Sequence, residues 1–124
     1  MVTLLSIDEI AGICHEANRE LCHSLGDDSQ PAWNVAPQWQ QDSAKQSILA
    51  IIADPSLTPE QVHVVWSNVK LSAGWKYGPV KDAEKKEHPS LVPYSTLSPG
   101  ERYKDMVFRS LVAALALPDQ ACAQ

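Results

Sequence analysis

The sequence lacks the features that mark several large classes of protein. Its longest apolar run covers only residues 111–117, whereas a membrane-spanning helix needs ~20 apolar residues. No basic N-terminal segment precedes a long apolar stretch, so we expect no secretory signal and a cytoplasmic location. The 15 acidic residues outnumber the 10 basic ones, and the net charge of −5 argues against a nucleic-acid partner, whose phosphates require positive charge.

Cysteine is scarce, and its three occurrences do not form the pattern of a disulfide scaffold. Two Cys-His pairs, Cys14-His15 and Cys22-His23, could suggest zinc. On a helix, however, their eight-residue separation places them ~12 Å apart along the axis, which is too far for one tetrahedral ion. We therefore expect reduced thiols, no metal site and no cofactor.

Motifs for catalysis are also missing. The sequence contains no Gly-x-Ser-x-Gly motif, no Walker phosphate loop and no pair of carboxylates in a recognisable catalytic setting. Cys14 falls on the apolar stripe of the first predicted helix, where a thiol nucleophile is not expected. These absences predict a protein without enzymatic activity.

The apolar residues that are present recur with helical spacing in four segments. Ser6-Ile-Asp-Glu9 and Thr58-Pro-Glu-Gln61 are capping boxes that begin the first and third helices, which Gly26 and Gly74 end. The second helix runs from about Pro37 to Ala53. The fourth helix begins at Ser98-Pro-Gly-Glu101 and ends before Pro118. We expect residues 118–124 to form a frayed tail. We expect a single domain of mainly α class over residues 1–124. The predicted inward-facing residues are Ile7, Ile10, Cys14, Ala17, Leu21, Leu25, Ala44, Ile48, Ile51, Ile52, Val62, Val65, Trp66, Val69, Met106, Val107, Phe108, Leu111, Val112 and Leu115.

Residues 75–97, between the third and fourth helices, show no helical period and contain several glycines and prolines. We expect a long ordered loop that carries short β segments. Irregular stretches of this length are uncommon in compact domains and are often functional. Basic residues also concentrate in and just before this segment, at Lys70, Lys76, Lys81, Lys85 and Lys86.

The same segment resembles the signature of the ryanodine-receptor (RyR) repeat domain family. The likeness rests on Gly74-Trp-Lys-Tyr-Gly-Pro-Val-Lys-Asp82 and Glu84-Lys-Lys-Glu-His-Pro-Ser-Leu-Val-Pro-Tyr94, with His63-Val-Val-Trp66 before them and Lys104-Asp-Met-Val-Phe108 after them. Residues 7–117 as a whole are similar to the stand-alone bacterial and phage members of this family. The departures are Ser47-Ile48, where many bacterial members have Gly-Val, and Ser90, where cysteine is frequent.

Membership would imply a compact four-helix domain without known catalytic activity. In the animal channels of this family, a cleft takes an adenine nucleotide, and tryptophans of the Gly-Trp type stack on flat rings. The resemblance therefore implies a non-catalytic binding module for an adenine nucleotide or a nucleotide-derived signal.

The residue types in this segment suit such a ligand. Trp75 and Tyr77 flank one residue, as on a short strand, so we expect both rings to face one ligand, and stacking contributes ~1–3 kcal/mol per base. Nearby lysines supply positive charge for phosphates, and a histidine and a tyrosine supply hydrogen bonds. The predicted ligand-binding residues are Trp75, Tyr77, Lys81, Lys86, His88 and Tyr94.

Structural roles stay open for the same residues. Trp75 can cap the core without any ligand, His88-Pro89 can form a turn, and the lysines can be solvated. Trp33 and Trp39 can either wrap the core or form the far wall of a cleft. The residues expected to be structural are Trp66 and His63.

An alternative function is a protein-interaction or self-assembly module. In this reading, exposed tryptophans anchor a partner protein or a second copy of the chain, since aromatic residues dominate many interfaces. Neither a nucleic acid nor a membrane is expected as a partner under either hypothesis.

Overall fold

A computed structural model describes residues 5–116 as four helices around one core. The helices are α1 (Ile7–Ser24), α2 (Gln38–Ala53), α3 (Pro59–Ser72) and α4 (Pro99–Ala116), and two short 3-10 helices cover Trp33–Val35 and Tyr94–Thr96. The predicted mainly α class is confirmed. The predicted stop at Pro118 and the frayed tail at residues 118–124 lie outside the described residues.

Local hydrogen bonds explain where α1 and α3 begin and end. Ser6 Oγ accepts from the Glu9 N–H at 3.1 Å, and Glu9 Oε1 accepts from the Ser6 N–H at 3.0 Å. Thr58 and Gln61 form the same reciprocal pair at the start of α3. Gly26 and Gly74 follow the two helices with φ of +88° and +90°, which glycine adopts without steric cost. Both predicted capping boxes and both predicted stops are confirmed.

The core lies where the inward stripes of the four helices meet. Its buried members are Ile10, Ala11, Cys14, Ile48, Ile51, Val62 and Val112. Two predictions of burial are wrong. Leu25 is exposed because it is the C-cap residue of α1, where the chain leaves the helix. Met106 is exposed because it lies ~120° around α4 from Val112. Trp66 is partly buried, as are most of the other predicted inward-facing residues, and it lines a cavity.

Residues 75–97 form the expected ordered loop with short strands. Strand β1 (Lys76–Tyr77) pairs in parallel with β2 (Glu87–His88), although only nine residues connect them. Parallel neighbours usually need a connection of a dozen or more residues. Here Asp82 Oδ1 accepts hydrogen bonds from two following N–H groups, and Lys86 adopts a φ of +54°, so that the chain reverses direction twice within the loop.

Gly78 allows the close approach of the two strands. A Cβ at this position would lie 2.5 Å from Glu87 Cβ. We therefore expect Gly78→Ala to lower the free energy of unfolding by about 1–3 kcal/mol, the cost of forced overpacking. Urea unfolding followed by tryptophan fluorescence measures this loss. Gly100→Ala is the control, because the tightest contact of its Cβ, at 3.1 Å, would be with the end of the movable Leu25 side chain. Equal stability of the two variants would contradict the assigned strand pairing.

Within residues 5–116, no helix is both long and apolar enough to cross a membrane. In the same range, no group of three or more His, Cys, Asp and Glu side chains is arranged to hold a metal ion. Cys14 and Cys22 are buried free thiols. Cys122 lies outside the described residues.

Candidate functional site

A cavity of about 340 Å³ lies between the helices and the segment of residues 75–97. All four helices contribute to its wall. The short connection at residues 54–58 makes α2 and α3 an antiparallel hairpin, so the start of α2 lies beside the end of α3. Accordingly, Lys70 near the end of α3 lies over the ring of Trp39 near the start of α2.

Rings from α2, α3 and the loop form one continuous surface, which we call the aromatic wall. In order of contact, its members are Trp39, Trp75, His88, Trp66, His63 and Tyr94. The closest contacts are Trp66 to His88, with ring centroids 4.9 Å apart, and Trp39 to Trp75 at 5.0 Å. Four members face the cavity directly, while Trp75 and Tyr94 contact those four rings without lining the cavity themselves.

Lys70 is a buried cation at this wall. Its Nζ lies 4.3 Å from the ring centroid of Trp39 and 5.0 Å from that of Trp75, and the residue is only 4% exposed. Burial, reinforced by the charge of Lys81, lowers the pKa of Lys70 from 10.5 to about 8. Cation–π contacts stabilise a desolvated ammonium, but residues 5–116 offer Lys70 neither a carboxylate within 4.0 Å nor a hydrogen-bond acceptor.

The end of α3 explains why Lys70 and Trp75 meet. The Trp75 N–H donates to the Lys70 carbonyl at 3.0 Å, and the Gly74 N–H donates to the Leu71 carbonyl at 3.1 Å. These two bonds form a Schellman motif, which brings the residue after the glycine back over the last turn of the helix. The motif therefore places the Trp75 ring against the Lys70 side chain.

Two more lysines line the cavity. Lys81 Nζ lies 5.9 Å from the Trp39 ring centroid. The residue as a whole is exposed at the mouth of the cavity, but partial desolvation of its ammonium group by the surrounding protein lowers its pKa. Burial alone would lower the pKa of Lys104, yet its hydrogen bond and charge contact with Glu101 at 3.0 Å raise it overall. Lys104 is thus neutralised by a carboxylate, whereas Lys70 and Lys81 have no such partner within residues 5–116.

Two histidines and one aspartate complete the ionisable groups of the wall. His63 Nε2 donates to the Val92 carbonyl at 2.8 Å, and Nδ1 faces Asp105 at 3.7 Å. Burial raises the pKa of Asp105 to about 6, although the charge of His63 opposes this. Burial, reinforced by the neighbouring lysines, lowers the pKa of His88 to about 4. At neutral pH His88 is uncharged: its Nδ1 accepts from the Ser90 N–H at 3.0 Å, which leaves Nε2–H as a donor.

The structure brings some of the predicted site residues together and separates others. Lys81 and His88 line the cavity, and Trp75 and Tyr94 belong to the aromatic wall. The expectation that Trp75 and Tyr77 face one ligand is wrong in its geometry, because Trp75 is 5% exposed and Tyr77 is 57% exposed. Trp75 precedes β1 and belongs to the end of α3, so the alternation of a strand does not apply to it.

Lys86 has a structural contact instead of a place at the cavity. Its Nζ donates to the Ala73 carbonyl at 2.8 Å, which satisfies a carbonyl at the end of α3. It does not line the cavity. Ligand binding by any of the six predicted residues stays a prediction.

The sequence reasoning missed several residues of the cavity. The sequence shows Lys70 only as one of several basic residues and predicts structural roles for Trp66 and His63, yet all three line the cavity. One signal was available: Val62, Trp66 and Lys70 recur every four residues, which puts a lysine on the inward stripe of α3. Trp39 lines the cavity, whereas Trp33 packs outside it against His15, with ring centroids 5.5 Å apart.

A comparison with known protein families places this site in context. The family model described as RyR domain matches residues 55–117, just over half of the 124-residue chain. The matched region contains α3, both strands and α4, and therefore includes Lys70, Lys81 and His88. This chain belongs to the RyR domain family.

Proposed function

We propose that this protein is a non-catalytic binding module for an adenine nucleotide or a nucleotide-derived signal, which occupies the cavity between α2, α3 and the loop. The observation that carries the proposal is Lys70. It is a buried ammonium that lies against two indole rings and faces a cavity, with no anionic partner within residues 5–116.

The charge of Lys70 favours an anionic ligand. A buried charge is costly unless it is paired, and the pKa of about 8 records that cost. Lys81 adds a second unpaired ammonium at the mouth of the same cavity. A ligand that carries phosphates would neutralise both groups and form charge-assisted hydrogen bonds with them.

The aromatic wall favours a ligand that also carries a flat ring. Trp39, Trp66 and His63 present ring surfaces to the cavity, and a base stacked on such a surface gains ~1–3 kcal/mol. The neutral His88 offers a hydrogen-bond donor on the same wall. The cavity volume of about 340 Å³ falls at the lower end of the ~300–1,000 Å³ that is typical of small-molecule sites.

The absence of catalysis and the cytoplasmic location are part of the proposal. Cys14 lines the cavity, but burial raises its pKa to about 11, so the thiol stays protonated and is a poor nucleophile. Buried free thiols at Cys14 and Cys22 suit a reducing compartment. An origin in bacteria or phages stays a prediction from the sequence resemblance.

Isothermal titration calorimetry with ATP, ADP, ADP-ribose, cyclic ADP-ribose and cyclic dinucleotides tests the proposal. We expect at least one of them to bind, and Lys81→Met to weaken that binding about 3- to 10-fold and to reduce its salt dependence, because Lys81 is a charge at the rim. Lys85→Met is the matched control, since Lys85 is exposed and lies outside the cavity. Absence of heat with every ligand, or equal losses in the two variants, would contradict the proposal.

The alternative function, assembly with a protein partner or with a second copy of the chain, stays a prediction. Its premise was exposed tryptophans, but none of the four tryptophans, all of which the structure describes, is in the exposed class. The anchors of such an interface would have to be other side chains, such as Tyr77 and Val80. The geometry therefore favours the ligand-binding hypothesis.

A further inference from the structure

Two serines on α2 have buried hydroxyl groups that find no partner among residues 5–116. Ser43 is 7% exposed and Ser47 is 5% exposed, and both line the cavity. No hydrogen bond joins either hydroxyl to any group within residues 5–116. Buried hydroxyls are normally hydrogen-bonded, so these two must find their partners in whatever fills the cavity.

The positions of the two serines relate them to Lys70. Trp39, Ser43 and Ser47 are spaced four residues apart and therefore share one face of α2. Lys70 lies over the Trp39 ring, so the serines continue the same face one and two helical turns further from Lys70. Because α2 and α3 run antiparallel, Ser43 lies level with Trp66, one turn before Lys70 on α3.

We propose that Ser43 and Ser47 bind a terminal phosphate group of the ligand, and that Lys70, one helical turn from Ser43, binds the phosphate next to it. This inference rests on the proposed function and adds the orientation of the ligand, with its phosphate end in the buried part of the cavity. Two hydroxyls one helical turn apart suit a single phosphate, whose oxygens accept hydrogen bonds from different directions, and the ammonium one turn further suits the charge of the neighbouring phosphate.

Burial explains why the phosphate is terminal. Lys70, Ser43 and Ser47 are all less than 10% exposed, so a group that reaches them occupies the inner end of the cavity, and the rest of the ligand extends toward Lys81 at the mouth. ADP presents such a terminal phosphate, whereas the diphosphate of ADP-ribose is internal. The wild-type protein is therefore expected to bind ADP more tightly than ADP-ribose.

Calorimetry and thermal unfolding of the Ser43→Ala/Ser47→Ala double variant test this inference. We expect its affinity for ADP to fall about 5-fold for each hydroxyl removed, which corresponds to the loss of an ordinary hydrogen bond. Its unliganded melting temperature should be no lower than that of the wild type, because no protein hydrogen bond is lost. Ser110→Ala is the control: Ser110 is exposed within α4, so this variant reports the effect of helix propensity alone.

The other possible results of these measurements separate a failure of this inference from a failure of the proposed function. ADP binding that is unchanged in the double variant, or wild-type affinity for ADP-ribose equal to that for ADP, overturns the inference and leaves the proposed function intact. A melting temperature below that of the wild type shows that the hydroxyls support the fold, which also overturns it. If wild-type protein binds no nucleotide at all, the proposed function fails and this inference fails with it.

Discussion

Lys70→Met is expected to stabilise the unliganded protein by roughly 3 kcal/mol at pH 7. The pKa of about 8, compared with the ordinary 10.5, records the cost of keeping a charged ammonium in a buried site where the described residues supply no carboxylate partner. Methionine has a similar length and no charge, so it removes that cost while filling the same space against Trp39. Most substitutions of buried residues destabilise a protein, which makes a gain of this size informative.

The stabilisation should depend on pH in a defined direction. Between about pH 8 and pH 10.5, the unfolded state holds more protons at Lys70 than the folded state does, so wild-type stability gains from this residue as the pH rises. The advantage of Lys70→Met is therefore complete below pH 8 and disappears toward pH 10.5. Cys14 acts in the opposite direction between pH 9 and about 11, but it is present in both proteins and cancels in the comparison.

Urea unfolding of the wild type and Lys70→Met at pH 7 and pH 9.5 measures both effects. Lys85→Met serves as the control, because Lys85 is exposed and has no ion pair within residues 5–116, so its replacement should change stability little at either pH. A Lys70→Met variant that is less stable than the wild type, or an advantage of equal size at both pH values, would show that the ammonium does not carry the cost assigned to it.

His88 is expected to make the protein sensitive to acid. Its pKa is about 4 in the folded state and 6.5 in the unfolded state, so its contribution to stability is complete above pH 6.5 and is lost as the pH falls through 4. The loss amounts to roughly 3 kcal/mol, because a charged imidazole would be buried beside three lysines. Asp105 acts in the opposite direction, since its raised pKa adds stability as the pH falls through 6.

The contribution of His88 is isolated by comparison with His88→Asn. An asparagine retains an acceptor for the Ser90 N–H but does not titrate, and Asp105 is common to both proteins. The stability difference between wild type and variant should shrink by roughly 3 kcal/mol between pH 7 and pH 4. His23→Asn is the control. Because Asp28 raises the pKa of His23, the stability difference between the wild type and this variant must not shrink as the pH falls. A constant His88→Asn difference would contradict the assigned burial of the ring.

Much of the fold could be predicted because its determinants are local. The capping boxes at Ser6 and Thr58 and the glycines at 26 and 74 act within a few residues, so their patterns specify where α1 and α3 begin and end. Leu25 and Met106 were assigned wrongly for different reasons: Leu25 is the C-cap residue, where the chain leaves α1, whereas Met106 lies at the edge of the apolar stripe of α4. Spacing defines a stripe, but the angle at which neighbouring helices pack decides which edge of that stripe is covered.

The candidate site was harder to predict because it combines residues that are distant in sequence. Trp39 and Lys70 are 31 positions apart and meet only because α2 and α3 pack as an antiparallel hairpin. The unusual feature of Ser43 and Ser47 is a missing partner, which no local pattern can reveal. Conversely, the composition of the long loop indicates Lys81 and His88 as site residues, and both line the cavity. Lys86 of the same loop instead donates a hydrogen bond to a carbonyl at the end of α3.

Calorimetric titration of ADP into the wild type and Lys70→Met tests the central claim most directly. If Lys70 is kept charged and buried for a phosphate-bearing ligand, the more stable variant must be the weaker binder, by at least about tenfold, since a hydrogen bond to a charged group contributes about 1.5–3 kcal/mol. Lys70→Met that binds ADP as tightly as the wild type would contradict the account.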